Sequence, residues 1–160
     1  MIHVNARAII ERETPQGMEI VIQLRNKPVE GGQWLELPGG RLEEFESFLE
    51  AVRREVEEET GLSLTHIEGA EAKVDSQGTR TNVECLQPFA VYQTTRGPVD
   101  SMGAYFRCRA EGELLAAGDD TLGPRWIPIE ELAAWLEREP ERFSWIDLAG
   151  LLFYLQERSR

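Results

Sequence analysis

The feature that most constrains this chain is residues 40–62, GRLEEFESFLEAVRREVEEETGL, where a glycine loop runs into a helical pattern of unusual carboxylate density. On a helix that advances about 100° per residue, Glu55, Glu58 and Glu59 fall within roughly 100° of one another. Glu57 points to the opposite side of that helix. An apolar stripe projects at adjacent angles and consists of Phe48, Leu49, Val52 and Val56. The pattern therefore predicts a helix that packs on a core and holds three carboxylates along one edge.

The residues alone allow two explanations of this acidic edge. Like charges three and four positions apart destabilise an isolated helix by roughly 0.2–0.5 kcal/mol per pair. A hard divalent cation such as Mg²⁺, which prefers carboxylate and carbonyl oxygens, would relieve that repulsion. The alternative is a solvated helix stabilised by ion pairs between side chains one turn apart. Those pairs are Glu50–Arg54, Arg53–Glu57 and Arg54–Glu58.

The spacing of the whole stretch favours the metal site. Gly40 is followed after five residues by Glu46 and, after seven more, by the run REVEEETGL over residues 54–62. At every specified position this spacing resembles the signature box of the Nudix hydrolases, and seven fixed identities would match by chance in roughly one sequence in ten thousand or fewer. The Leu-Pro-Gly at residues 37–39 resembles the usual lead-in to that box. Phe45 stands where many members have glycine, a departure that concerns the shape of the loop and removes no ligand.

This resemblance implies both a fold and an activity. The fold is α/β, a Nudix-type α/β/α sandwich in which a mixed sheet carries the box helix and the C-terminal helices. The activity is Mg²⁺-dependent hydrolysis of a pyrophosphate bond in a nucleoside diphosphate linked to another group, with Mn²⁺ as a substitute ion. Nucleotide sugars or ADP-ribose-like compounds and nucleoside triphosphates are rival substrates. The alternative is a nucleotide-sensing module that binds without turnover, which the intact box argues against.

The resemblance also implies roles for individual box residues. The metal-binding carboxylates would be Glu55, Glu58 and Glu59, the Gly40 carbonyl would be an added ligand, and Glu46 and Arg54 would brace the loop and orient the glutamates. A metal ion held there could polarise phosphoryl oxygens and lower the pKa of a bound water. Glu55 and Glu59 are both candidates for accepting the water proton, and the sequence does not choose between them.

An additional acidic residue is expected from a later loop. Asp120 stands six residues before Trp126 in the segment GDDTLGP, next to Asp119, and resembles the position where some relatives supply another metal ligand or a base. The alternative is an ordinary turn, because Gly and Asp are common turn residues. The sequence supports both readings.

The sequence gives little information about which substrate the protein selects. The position about 15 residues beyond the box, which is proline in many ADP-ribose hydrolases, is Gln77 here, and no subfamily mark is established. The side chains that could stack on a base or contact phosphates are Arg25, Trp34, Arg80, Tyr92 and Gln93. Single aromatics and arginines are, however, more often core or solvated surface.

The rest of the chain alternates strand and helix patterns. The predicted strands are 2–12, 18–25, 34–37, 62–70, 83–95, 102–110 and 125–127, and the box helix is predicted over 46–60 with Gly61 as its stop. Pro128 opens one later helix. A second is predicted to begin with a capping box at Ser144-Trp-Ile-Asp147 and to bury a stripe of Ile146, Ala149, Leu152 and Phe153.

Composition bounds the fold and the partners. A chain of 160 residues, with 41% hydrophobic and 29% charged content, fits one soluble domain over 1–160. Its net charge of −12 gives no general attraction to duplex nucleic acid or anionic lipid. The start lacks the features of a secretory signal, so we expect a cytoplasmic protein with Cys85 and Cys108 as thiols. Period-two alternation groups Cys108 with Ala104, Phe106 and Ala110 on one strand face, which predicts that Cys108 packs in the core. Oligomeric state is left open, with a homodimer as one option.

Overall fold

The elements of the protein are mostly strands, with three α-helices in the part of the chain that is described. The computed structural model describes residues 1–27, 32–116 and 121–160. The strands are β1 (His3–Thr14), β2 (Gly17–Lys27), β3 (Gly32–Glu36), β4 (Gly39–Arg41), β5 (Ser63–Ile67), β6 (Val74–Asp75), β7 (Glu84–Cys85), β8 (Ala90–Gln93), β9 (Ser101–Glu111) and β10 (Thr121–Pro128). The helices are α1 (Phe48–Thr60), α2 (Ile129–Arg138) and α3 (Leu148–Arg158), with short 3₁₀ turns at Ala70–Ala72 and Pro140–Arg142. None of these described helices is long and apolar enough to cross a membrane.

The sheet is organised around β1. The strand order is β10-β2-β1-β9-β5, with β3 added to β2, β4 to β1 and β8 to β9. β1 runs parallel to β9, which places Ala6 opposite Ala104, and antiparallel to β2 and β4. A separate two-stranded hairpin joins β6 to β7. The sheet is therefore mixed, as the sequence predicts.

Both faces of the sheet are buried, which explains the nearly continuous apolar run at the centre of β1. The core on one face packs under α1 and includes Ala6, Ala8, Ile10, Val52, Val56, Phe106 and Cys108. The core on the other face packs under α2 and α3 and includes Ile9, Ile20, Ile22, Leu35, Leu132, Leu151 and Tyr154. This arrangement confirms the predicted α/β/α sandwich.

Local signals define both ends of α1. The Ser47 side chain accepts a hydrogen bond from the Glu50 backbone N–H at 3.0 Å, so the helix begins at Phe48, two residues after the predicted start. Gly61 adopts the left-handed conformation, with φ of 80°, and its N–H is bonded to the Glu57 carbonyl. The predicted stop is confirmed, and the later start reflects the role of Ser47 as the N-cap.

Two predictions for the C-terminal helix are wrong. The predicted capping box at Ser144–Asp147 does not open α3, which begins at Leu148, because the Asp147 carboxylate is bonded to Arg7 and to the Leu37 N–H. The predicted apolar stripe is not the buried face either, since Leu152 and Phe153 are 49% and 40% exposed. The buried residues of α3 are Gly150, Leu151 and Tyr154. Gly150 allows the close packing, because a Cβ atom there would overlap the Tyr105 ring.

The strand predicted over 83–95 is two strands. β7 ends at Cys85 and β8 begins at Ala90, with Pro88 between them. Proline cannot donate a ladder hydrogen bond, which explains the interruption. Cys108 is 2% exposed and packs beside Phe106, so its predicted place in the core is confirmed.

Candidate active site

The glycine loop lies directly against the acidic edge of α1. Gly39 and Gly40 belong to β4, which pairs with β1 so that Gly40 lies opposite Ala6. A Cβ atom on Gly39 would lie 2.7 Å from the Arg7 Cα, and one on Gly40 would lie 2.6 Å from the Glu55 carboxyl carbon. Both positions therefore require glycine for close approach, the first to β1 and the second to the helix carboxylate.

Three carboxylates of α1 line one cavity. Glu55, Glu58 and Glu59 all contribute to the wall of a cavity of about 1000 Å³, together with Gly39 and Gly40. The Gly39 N–H donates to Glu59 Oε2 at 2.8 Å. Burial raises the pKa of Glu59 to about 8, although the Gly39 hydrogen bond acts in the other direction. Glu57 is exposed and is not part of this wall.

Arg54 connects the loop before α1 to the acidic edge. Its Nε and Nη2 donate to the two oxygens of Glu46, each at 2.8 Å, in a bidentate pair. Its Nη1 donates to Glu55 Oε1 at 2.8 Å, and its Nη2 also donates to the Arg41 carbonyl at 3.2 Å. These hydrogen bonds from Arg54 lower the pKa of Glu46 to about 2. The Arg54 guanidinium therefore orients Glu55 and attaches the loop that precedes α1 to the helix.

The donor chemistry of this edge fits a hard divalent cation. The three side chains offer only carboxylate oxygens, and the partly buried Glu59 carboxylate has a raised pKa, which a bound cation would lower. In the described part of the chain, no three His, Cys, Asp or Glu side chains converge as a ready-made metal site. The reason is local: Glu55 and Glu58 both face Arg54, at 2.8 and 3.6 Å, whereas Glu59 is bonded to Gly39. A bound cation would therefore share these carboxylates with Arg54 and Gly39.

Sequence reasoning missed a buried layer of charge on the cavity floor. Arg7 and Glu36 are 2% and 3% exposed, and both line the cavity. Arg7 pairs with Asp147 at 2.7 Å and with Glu36 at 3.5 Å. Burial raises the pKa of Glu36, while the charge of Arg7 acts against the shift. The available signal was the alternation of His3, Asn5 and Arg7 with apolar residues in the first half of β1, since all three line the cavity.

The candidate substrate-binding residues separate into two groups. Arg25 and Trp34 line the cavity, whereas Arg80 and Tyr92 do not. Arg80 is exposed, and the Tyr92 hydroxyl lies 2.9 Å from Ser101 Oγ, behind the cavity wall that Ser101 helps to form. Gln93 is exposed on β8 and is likewise not part of the wall.

Trp145 is a lining residue that the sequence pattern did not single out. It is 52% exposed and lies between Ser144 and Ile146, which also line the cavity. The predicted additional acidic residues, Asp119 and Asp120, lie outside the described residues. The contribution of that segment stays a prediction.

Fold and site together define a class: an α/β/α sandwich in which a glycine loop meets an acidic helix edge across a large cavity. The model of the NUDIX domain family matches residues 1–148, and the chain belongs to this family. It is a Nudix hydrolase by class. A search of curated proteins finds no match.

Solved structures share this fold at low sequence identity. The E. coli ORF135 protein is 20% identical, with a TM-score of 0.67, and the match covers 98% of this chain and 91% of that one. A MutT NUDIX hydrolase from Burkholderia pseudomallei is 21% identical, with a TM-score of 0.57 and coverages of 81% and 85%. The NUDIX domain of Shewanella oneidensis NrtR, solved with ADP ribose, is 17% identical, with a TM-score of 0.62 and coverages of 100% and 90%.

Proposed function

We propose that this protein catalyses Mg²⁺-dependent hydrolysis of a pyrophosphate bond in a nucleoside diphosphate linked to another group. The observation that carries the proposal is the common cavity wall formed by Gly40 and three α1 carboxylates, Glu55, Glu58 and Glu59. Membership of the NUDIX domain family supports the same reaction class. The ADP ribose bound to a structural neighbour supports a nucleotide-type ligand.

The residues that would hold Mg²⁺ are Glu55, Glu58, Glu59 and the Gly40 carbonyl. When bound, the ion supplies polarisation of phosphoryl oxygens, acidification of water and neutralisation of developing charge. Arg54 holds Glu55 in place, and the Gly39 N–H holds Glu59, so these two carboxylates are the candidates for accepting the water proton. Mn²⁺, with a similar preference for oxygen ligands, should substitute.

The remainder of the cavity suits the nucleoside and the second group. Trp34 and Trp145 supply aromatic faces on which a base can stack, and Arg25 supplies a cation for phosphate. The cavity volume of about 1000 Å³ is at the upper end of ordinary small-molecule sites. Nucleotide sugars or ADP-ribose-like compounds and nucleoside triphosphates are the two substrate groups to compare.

The direct test is a phosphate-release screen over nucleoside triphosphates, nucleotide sugars, ADP-ribose and dinucleotides. Each substrate is incubated with Mg²⁺, with Mn²⁺ or with EDTA, and the protein is then removed by filtration. Excess Mg²⁺ is added afterwards together with a coupling enzyme, which is inorganic pyrophosphatase for the triphosphates and a phosphatase for the other substrates. We expect at least one substrate to be hydrolysed with either ion and none with EDTA. Turnover that is equal with and without EDTA would contradict the metal-dependent mechanism.

The second candidate function is nucleotide sensing without turnover. The contacts of Arg54 with Glu55 and Glu58 favour it, because carboxylates already paired with a guanidinium are less available to a metal ion. Calorimetric titration with ADP-ribose distinguishes the two functions. Saturable binding without product in the presence of Mg²⁺ would favour sensing.

Cytoplasmic location, Asp120 as an additional ligand and a homodimer are further parts of the proposal. Size-exclusion chromatography with light scattering measures the mass of the particle, which is compared with 18.2 kDa for one chain.

Replacement of Asp120 or Asp119 by Asn tests the additional ligand, since a turn residue should tolerate Asn and a ligand should not.

A further inference from the structure

Arg7 and Asp147 form a buried pair that binds the backbone N–H and the backbone carbonyl of one residue, Leu37. The two residues are 2% and 0% exposed. Arg7 Nε and Nη2 donate to Oδ1 and Oδ2 of Asp147 at 2.7 and 2.8 Å. The pair also binds Leu37 on both sides: Arg7 Nη2 donates to the Leu37 carbonyl at 2.7 Å, and the Leu37 N–H donates to Asp147 Oδ2 at 2.8 Å. We call these two side chains and the peptide groups they hold the Leu37 clamp.

The Leu37 clamp lies immediately before the glycine loop. Pro38 follows, with φ fixed near −65° by its ring, and its carbonyl accepts the Ala8 N–H at 2.9 Å. Gly39 comes next and donates its N–H to Glu59. Few backbone torsions therefore separate the clamped peptide from the group that holds a cavity carboxylate.

Stability alone does not explain this pair. Replacing a buried ion pair by apolar side chains of similar volume is often neutral or stabilising, because desolvation of two charges offsets much of their attraction. What an apolar pair cannot do is satisfy the N–H and the carbonyl of Leu37. Tyr105 adds a third element from β9, since its hydroxyl lies 2.8 Å from the Ile146 carbonyl and 3.0 Å from Asp147 Oδ1 and shares its one proton between them.

We infer that Arg7 and Asp147 are positioning residues for hydrolysis: through Leu37 they set the glycine loop against the α1 carboxylates. This inference rests on the proposed function for its catalytic consequence. The structural part of the inference is that Arg7 and Asp147, 140 positions apart in sequence, control the position of Gly39. This part can be tested whether or not the protein hydrolyses a substrate.

A second buried carboxylate on β1 supplies a matched control. Glu11 is 3% exposed and is bonded to Arg107 at 3.0 and 3.1 Å and to the Tyr154 hydroxyl. Its hydrogen bonds go to side chains, and it is not part of the cavity wall. Glu11→Gln and Asp147→Asn each replace one carboxylate oxygen by an amide nitrogen in a buried cluster. They differ in whether the Leu37 clamp is affected.

The experiment compares wild type, Asp147→Asn and Glu11→Gln in the full chain by amide hydrogen exchange of Gly39, thermal unfolding and steady-state kinetics with Mg²⁺. We expect both variants to melt below wild type. Only Asp147→Asn should increase the exchange rate of the Gly39 N–H, by about 10-fold or more. It should also lower kcat by about 10- to 100-fold with a smaller change in KM. Unchanged Gly39 exchange in Asp147→Asn, or an equal increase in Glu11→Gln, would overturn the inference.

A combined variant separates position from stability. Arg7→Met with Asp147→Leu and Glu36→Gln removes the buried charges together, so that no buried carboxylate is left without Arg7, and should recover part of the melting temperature lost in Asp147→Asn. Gly39 exchange and kcat should not recover, because the Leu37 peptide still lacks partners. If Gly39 exchange and kcat return to their wild-type values together with the melting temperature, the pair has only a structural role. If the wild-type protein hydrolyses no substrate, the proposed function is wrong. The exchange rate of the Gly39 N–H then tests by itself whether the Leu37 clamp controls the position of Gly39.

Discussion

Gly40 and Glu55 are so close that a Cβ atom on the glycine would lie 2.6 Å from the carboxyl carbon of the glutamate. The loop and α1 consequently form one unit, since neither can shift without changing the other. The same glutamate is held by Arg54, which also binds Glu46 at the start of the box. The spacing of the box residues is explained by these contacts.

Gly40→Ala should reduce turnover while leaving the fold intact. The added methyl group meets the flexible end of the Glu55 side chain, so the carboxylate is displaced and the backbone is not. We expect kcat to fall by about 10-fold or more with a small change in melting temperature. Gly17→Ala is the contrasting variant, because Gly17 has φ of 124° and open space around it. It should lower stability and leave kcat unchanged, and the reverse pattern would contradict the close-contact argument.

Glu59→Gln should remove most Mg²⁺-dependent turnover. The amide keeps the volume of the side chain and an oxygen for the Gly39 N–H, but it loses the charge proposed to bind the metal. We expect kcat to fall by about 100-fold or more, beyond the usual effect of an outer-shell substitution. Glu57→Gln, on the exposed side of α1, is the matched control and should retain turnover. Equal losses in the two variants would show that the acidic edge is not the active face.

Glu46→Gln should change the acid dependence of stability. Hydrogen bonds from Arg54 lower the pKa of Glu46 from its ordinary 4.5 to about 2. The interaction therefore stabilises the folded protein above about pH 4.5 and is lost as the pH falls through about 2. The difference in free energy of unfolding between wild type and Glu46→Gln should shrink over that window, as measured by urea unfolding at several pH values. Glu44→Gln, which removes an exposed charge from the same loop, is the control, and a difference that does not vary with pH would exclude the pairing.

Trp145→Ala should weaken substrate binding more than chemistry. Its side chain lines the cavity and is 52% exposed, so it is available for stacking on a base. Stacking of about 1–3 kcal/mol per base predicts a KM increase of about 10-fold with little change in kcat. Leu152→Ala is the control, because Leu152 is 49% exposed on α3 and is not part of the cavity wall. Similar kinetic constants for both variants would remove Trp145 from the substrate site.

Local sequence determined the box helix and its acidic edge. Ser47 and Gly61 define its ends through contacts within the same turn or the next, and the 3.6-residue period assigns each glutamate to a side. Period-two alternation likewise placed Cys108 beside Phe106 in the core. These features were predictable because every interaction they need lies within a few residues.

Tertiary structure alone decided the remainder of the site. The spacing of Ser144 and Asp147 resembles a capping box in the sequence, but the partner of Asp147 is Arg7, which lies 140 positions away and binds the carboxylate instead. Helix α3 is apolar on several sides, so its period does not reveal which side is buried, and the packing of Gly150 against Tyr105 makes that choice. Local periodicity predicts which side chains share one face of an element. Which segment packs against that face depends on how the sheet brings distant parts of the chain together.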